Sequence, residues 1–356
     1  MSVKPQPTRG VASNPPNRFE ALEIVPDPPE DGAEPAPVLT RFFRDPAKEI
    51  LARNDSPDVG FDWGLNPYRG CEHGCVYCFA RPTHEYLGLS AGLDFETQIF
   101  VKEDAPTLLR RVLGAKTWKG EVVAMSGVTD PYQPVERRLE ITRRCLAVFL
   151  ERRSPVAIIT KSHLVARDAD VLGALARLGL AEVNLSVTTL RLDLQRILEP
   201  RASIPARRLE AIRTLSAAGV PVNVLVAPVI PAINEEEIPA ILAACAEAGA
   251  RAASYVVLRL PHAVGPLFEE WLECHFPRRR DKVLNRLRSM HGGKLYDSSY
   301  HHRQRGQGVH ADQIRDLFHL GCRRAGLTGQ RPAAIIESSC AAGPAQLSLF
   351  DSAQSA

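Results

Sequence analysis

The chain has 356 residues, 45% of them hydrophobic, and a formal net charge of +3. That is enough for one large domain with extensions or two ordinary ones, with ample material for a packed core. Eight cysteines are too few for a disulfide scaffold at this length, no charged-then-apolar leader opens the chain, and no apolar run approaches a membrane span. These features exclude the disulfide-stapled and membrane-spanning classes and predict a cytoplasmic protein with no membrane partner.

Residues 1–54 read as a Pro-rich, largely disordered arm. Ten of the 28 prolines lie between Pro5 and Pro46, with Glu30, Asp31 and Glu34 among them. Such a stretch buries too little apolar surface to offset its ordering entropy. Phe42, Phe43, Ile50 and Leu51 are placed to dock one short piece on the main domain, and residues 1–35 are expected to stay loose.

The stretch Asn66-Pro67-Tyr68-Arg69-Gly70-Cys71-Glu72-His73-Gly74-Cys75-Val76-Tyr77-Cys78 carries three cysteines at the spacing C-x3-C-x2-C. Thiolates are soft ligands that suit zinc or iron–sulfur clusters. A closed zinc site takes four protein ligands and most clusters take four cysteines, yet no fourth cysteine lies nearby. Two readings stand. Either His73 or His84 completes a zinc knuckle, or the triad holds a four-iron cluster with one iron left open, as a catalytic metal requires. The pattern, with Tyr77 before the last cysteine, resembles that of radical S-adenosylmethionine (SAM) enzymes. The resemblance implies that Cys71, Cys75 and Cys78 hold a 4Fe–4S cluster whose open iron binds the amino and carboxylate groups of SAM. It places Tyr77 where its surroundings contact the adenine. It further implies that an external electron donor reduces the cluster, that SAM is cleaved, and that a 5′-deoxyadenosyl radical abstracts hydrogen from the substrate.

From Phe61 onward strand-like and helix-like segments alternate. Glu121–Met125, Val156–Thr160, Val183–Val187, Val220–Val229 and Ser254–Leu260 are short apolar, β-branched runs. Between them Thr107–Leu113, Arg137–Arg152, Arg167–Leu178, Pro205–Ala218 and Glu235–Ala248 repeat apolar residues at spacings of three and four. Gly179, Gly219 and Gly249 fall where helices should stop, and Asn234 reads as an N-cap ahead of Glu235-Glu236-Glu237. Such alternation implies parallel pairing with right-handed crossovers. With a first strand leading into Asn66–Gly70, six strands are expected, matching the partial (β/α)6 TIM-like barrel of radical SAM enzymes. The expected fold is thus an α/β core over 55–262, a mainly helical basic extension over 263–330, and a flexible tail over 331–356.

Ligands of such sheets bind at the carboxyl ends of the strands. There the second strand is followed by Ser126 and Asp130, the third by Lys161, and the fourth places Asn184, Ser186 and Thr188 on one side. Asp130 suits the SAM ammonium, Lys161 its carboxylate, and the amide and hydroxyls a ribose. Each, taken singly, is equally suited to a local hydrogen bond.

Several segments narrow the resemblance: Thr129-Asp130-Pro131-Tyr132-Gln133-Pro134, Thr160-Lys161-Ser162, Leu198-Glu199-Pro200-Arg201, Arg207–Ile212 and Val226–Pro231 with Asn234. Together they resemble the branch containing spore photoproduct lyase and "DNA repair photolyase"-like proteins, over about residues 56–325. The resemblance implies SAM contacts at Lys161 and Ser186. Glu199 and Arg201 either shape the active site or form a buried loop-fixing pair. Tyr132 is either a radical relay or a core tyrosine. One departure stands out: those lyases carry a hydrogen-donating cysteine just past the second strand, and this chain reads Ala124-Met125-Ser126-Gly127. That argues against spore photoproduct repair itself.

Between 278 and 324 twelve Lys and Arg face only four Asp, with Tyr296 and Tyr300 among them. The local excess points to a nucleic-acid partner, against the plainer reading of a solvated helical face. In the tail, Gln346-Leu347-Ser348-Leu349-Phe350 resembles the pentapeptide that docks bacterial replication and repair proteins on the DNA sliding clamp. The reading that unites these features is a radical SAM enzyme acting on nucleic acid. The alternatives are the same chemistry on RNA or protein, and a zinc-stabilised nucleic-acid-binding protein without catalysis.

Overall fold

The computed structural model describes residues 9–20 and 38–328. Ten strands form two sheets: β1 (Arg41–Arg44), β2 (Leu51–Arg53), β3 (Trp63–Leu65), β4 (Tyr68–Arg69), β5 (Gln98–Val101), β6 (Val123–Met125), β7 (Val156–Thr160), β8 (Ala181–Ser186), β9 (Val222–Val229) and β10 (Ala252–Val257). The main sheet runs β10-β9-β8-β7-β6-β3-β2, and the small one β1-β5-β4. Every neighbouring pair from β3 to β10 is parallel, while β2 closes the far edge antiparallel. These are the six expected strands, and their ends are not joined to each other, so the barrel stays open.

Register explains why the sheet has one dry face and one hollow face. Leu65, Met125, Ile158, Val183 and Val222 stand side by side across five strands and are all fully buried. Tyr255 continues that face and packs against Phe318 of the helix Val309–Ala325, at 4.8 Å between ring centroids. Helices therefore cover this side. One residue along, the row is Gly64, Ala124, Ala157 and Glu182. Three of these four are Gly or Ala and fill little of the concave side, which faces away from the helix-covered one because successive residues of a strand point to opposite faces.

Helices fill the crossovers close to their expected ranges, with local differences. Arg137–Arg152 is split at Glu140, which is in the left-handed region, into Glu136–Leu139 and Ile141–Arg152. Asn234 does not cap its helix. Its side chain instead donates to the carbonyls of Thr188 and Pro228 and accepts from Ile230 N–H at 2.6 Å, which ties the end of β9 to the end of β8.

The loose arm expected over 1–35 is corrected in its described part, residues 9–20, where Val11 is buried, whereas the docking expected of Phe42, Phe43, Ile50 and Leu51 is seen: Ile50 is buried, β1 pairs with β5, and β2 pairs with β3. Polar side chains replace apolar burial as the anchors: Asn14 brackets Asp94, Asn17 donates to the carbonyls of Glu85 and Leu89, and Arg18 pairs with Glu85 at 2.6 Å. A Pro-rich composition hides such anchoring because it predicts weak hydrophobic docking, not strong polar docking. The C-terminal region likewise shares the core of the barrel. Trp271 donates to the Ile197 carbonyl at 2.9 Å, and Gly321 packs so closely on Leu242 that a Cβ would approach it to 2.6 Å.

Candidate active site at the cysteine loop

The loop follows β3 and β4 at the carboxyl rim of the sheet. Cys71 N–H donates to Phe95 O at 2.9 Å, Val76 N–H to Leu198 O at 3.1 Å, and Arg201 N–H to His73 O at 3.2 Å. Cys71 and Cys75 are buried and Cys78 is half-buried. Underneath lies Arg81, fully buried. Its Nε and Nη2 reach the Cys75 carbonyl at 3.0 and 2.8 Å, its Nη1 reaches Gly92 O at 3.0 Å, and Nη2 pairs with Glu96 at 2.5 Å. Glu96 turns its other oxygen to Gly10 N–H at 3.0 Å. Gly10 lies flat on the loop, and a Cβ there would stand 1.6 Å from the Gly74 carbonyl oxygen. The N-terminal segment thus forms one wall of the cysteine loop.

The donor set fits an iron–sulfur cluster. Burial pushes the Cys75 and Cys78 thiols up, with Lys161 pulling Cys75 down and Arg81 pulling Cys78 down. A metal cation that replaces the protons removes the cost of burying thiolates. Among the described residues no three His, Cys, Asp or Glu side chains converge on a point as ligands of one ion must. Thiolates of a cluster sit on separate irons and need no such convergence. His73 Nδ1 is 3.3 Å from Asp130 and its ring also hydrogen-bonds Cys71, while His84 Nε2 is 2.9 Å from the Gln98 carbonyl and its Nδ1 has no hydrogen-bond partner among the described residues.

Beside the loop sits a buried charge network. Glu199 accepts from Tyr77 OH, from Thr188 Oγ1 at 2.6 Å and from Arg208. Burial alone would raise its carboxyl, but Arg208, Lys161 and the two hydroxyls outweigh it and hold Glu199 at about 2. Lys161 lies with its Nζ 5.9 Å from the centre of the Tyr77 ring and makes no ion pair among the described residues. Its charge acts on Glu199 and Cys75 from beyond ion-pair distance. Of the two readings of Glu199 and Arg201, their mutual ion pair is not formed: Arg201 binds Glu72 at 2.9 Å, and Arg208 takes Glu199.

Three expected contacts are spent inside the protein. Asp130 accepts from Thr160 Oγ1 and Lys161 N–H at 2.7 Å each and from Tyr132 N–H at 2.9 Å, besides facing His73. It orders the rim and is not left open for an ammonium. Ser126, at φ 136°, gives its hydroxyl to Thr129 O at 3.1 Å. Tyr132 is buried away from this network, and its hydroxyl binds Asp168 at 3.1 Å, beside Arg143 and Arg167. This buried, ion-pair-held placement fits the core-tyrosine reading of Tyr132.

On the hollow face Asn184 donates to Glu182 at 3.1 Å, and Asn223 reaches Asn184 at 3.3 Å, while Ser186 lies one step nearer the rim. Burial raises the Glu182 carboxyl to about 7 against the pull of the two amides. Sequence reasoning missed Glu182, although the same alternation that selects Asn184 and Ser186 extends to it. Arg81, Glu96 and Arg208 were missed too; no local spacing marks them.

The basic region is more neutral than its composition implies. Arg280 pairs with Glu269 and Glu273, Arg286 with Glu235, Arg303 with Asp58, and Arg315 with Asp312. Arg278, Lys282, Lys294, Arg323 and Arg324 stay exposed with no acidic partner among the described residues. The Gln346–Phe350 pentapeptide lies outside the described residues.

With this geometry in hand the comparisons are specific. Residues 65–245 match the model of the Radical SAM superfamily. An uncharacterized protein of Mycobacterium tuberculosis is 31% identical over 349 residues, covering 93% of this chain and 98% of its own. One from Methanocaldococcus jannaschii is 30% identical over 184 residues, covering 52% of this chain and 66% of its own. Among solved structures, a variant of spore photoproduct lyase with bound AdoMet and dinucleoside spore photoproduct shares the fold at a TM-score of 0.57 and 15% identity, covering 80% of this chain and 78% of that one.

Proposed function

The chain belongs to the radical SAM superfamily, and from that premise we propose that it acts on a nucleic acid, in a lyase-type repair of an altered nucleotide in the cytoplasm. Membership makes it an enzyme whose cofactors are a 4Fe–4S cluster and SAM and whose reaction draws on an external electron donor. When bound, they supply reductive cleavage of the SAM carbon–sulfur bond and a carbon radical that takes hydrogen from an unreactive position.

The chain's own residues place these groups. Cys71, Cys75 and Cys78 hold the cluster. Lys161, over Tyr77, receives the SAM carboxylate. Asn184 and Ser186 receive the ribose from the hollow face. Glu199 is a positioning residue: it fixes Tyr77 and, through Arg208, joins the loop to the helix Pro205–Ala217. Arg201 does the same through Glu72.

The observation that supports a nucleic-acid substrate is the open parallel sheet with the thiol triad at its mouth. The similar fold of spore photoproduct lyase holds a dinucleoside lesion. Ala124-Met125-Ser126 offer no thiol past β6, so the hydrogen returned to the product comes from another donor and the lesion is not the spore photoproduct. Gln346–Phe350 adds recruitment by the sliding clamp, an extended apolar peptide docking in a groove. Deleting it should abolish binding to purified clamp, and undiminished binding would exclude that step.

Anaerobic reconstitution tests the main reading. About four irons per chain and 5′-deoxyadenosine formed only with all three cysteines intact are expected, with turnover raised by damaged DNA. Stoichiometric zinc without deoxyadenosine would leave a non-catalytic nucleic-acid binder. Turnover stimulated only by RNA or protein would reassign the substrate.

A further inference from the structure

Arg259 has no acidic partner among the described residues. It stands two residues past the end of β10, at the carboxyl rim and at the open edge of the barrel. Its guanidinium lies 4.8 Å from the centre of the Phe79 ring and 5.8 Å from that of Tyr296. Nη2 reaches Tyr296 OH at 3.4 Å, while Nε is buried with no hydrogen-bond partner. Leaving a buried donor unpaired costs about 1–3 kcal/mol, and the rest of the guanidinium has donors to spare for an acceptor. Phe79 follows Cys78 directly and is 47% exposed, and Tyr300 on the neighbouring loop is 46% exposed with Arg303 4.6 Å from its ring centre.

These groups share a chemistry. An exposed aromatic face and a guanidinium plane both stack on a planar heterocycle, and a free N–H on the guanidinium pairs with acceptors at its edge. The setting is beside the metal-binding loop, where a substrate must come. We propose that Phe79, Arg259 and Tyr296 form a subsite that holds one unstacked nucleobase of the substrate, with the Arg259 guanidinium donating to a ring nitrogen or carbonyl on the base edge. This rests on the nucleic-acid reading above and names how the strand is gripped. Lys294, exposed on the same segment as Tyr296, is available to the adjoining phosphate.

The test uses the reconstituted enzyme with SAM and a fluorescently labelled single-stranded DNA. An abasic residue is scanned along it, and binding is read by anisotropy. One position should weaken wild-type binding about tenfold, the scale of one base stack. At that position Phe79→Ala and Arg259→Gln should show no further loss, having already lost the same factor on intact DNA. Arg259→Lys, which keeps the charge without the planar fork, should bind as weakly as Arg259→Gln but with the wild-type salt dependence. If wild type binds DNA and all three variants match it along the whole scan, the subsite is wrong while the nucleic-acid reading stands. Absence of wild-type binding to any DNA or RNA strand would remove both.

Discussion

The cysteine loop and the β10 rim meet at one barrel mouth, where Arg259 lies over Phe79, and are built on different terms. Around the loop most polar groups are used, with Arg9 Nε, His84 Nδ1 and Glu85 Oε1 left over among the described residues. Arg81 serves Cys75, Gly92 and Glu96, and Glu96 serves Gly10. At the rim Arg259 keeps an unpaired Nε, and Phe79 and Tyr300 keep open faces. The loop must hold three sulfurs in one arrangement for every turnover, and its filled contacts supply that rigidity. The rim must accept and release a varied partner, and unspent donors and open rings supply that.

The largest effect expected from disturbing this contrast is Glu96→Gln. It leaves Arg81 buried without its counter-charge and removes one end of the link to Gly10. Breaking a buried pair costs about 3–5 kcal/mol, so urea denaturation should show a loss of that size together with poor iron retention. A loss below 1 kcal/mol would mean the loop is held by something else. Gly10→Ala comes next, because its Cβ would meet the Gly74 carbonyl at 1.6 Å. Overpacking of this kind costs about 1–3 kcal/mol. The variant should lose iron faster in air than wild type, whereas Asn14→Ala, on the same segment but farther from the cysteines, should lose less.

Glu182 sharpens the contrast at the floor of the hollow face. Its folded carboxyl, raised to about 7 by burial, holds its proton where the unfolded chain has already released it. The folded state therefore binds more protons, and stability falls as pH rises from the usual carboxylate value to about 7. Glu182→Gln should abolish this dependence and gain about 2–3 kcal/mol at pH 8 and nothing near pH 4, read from denaturation midpoints. Equal midpoints at pH 8 would show that the charge is already compensated. The smallest effect belongs to the surface: Arg315→Ala removes an exposed pair with Asp312 and should change stability by less than about 1 kcal/mol.

Much of the molecule was legible before any coordinates. The triad is a local pattern, and three soft ligands within eight residues carry their chemistry wherever the chain goes. The strand–helix rhythm is also local, since burial on one face imposes a period of two or 3.6 on neighbouring residues. Those two signals set the parallel sheet, its six strands and the place of the thiol triad at its rim. Partner choice among charges was not legible. Glu199 stands two residues from Arg201 yet pairs with Arg208, and Arg201 reaches back to Glu72. Asp130 has the right place for a ligand contact but spends its oxygens on Thr160 and Lys161. Gly10 and Glu96 meet across 86 positions. Composition marks the segment around Gly10 as disordered because composition counts apolar area, whereas this segment is held by directional polar contacts. Such contacts exist only once the barrel has brought distant residues within hydrogen-bond reach, so only the tertiary structure decides them.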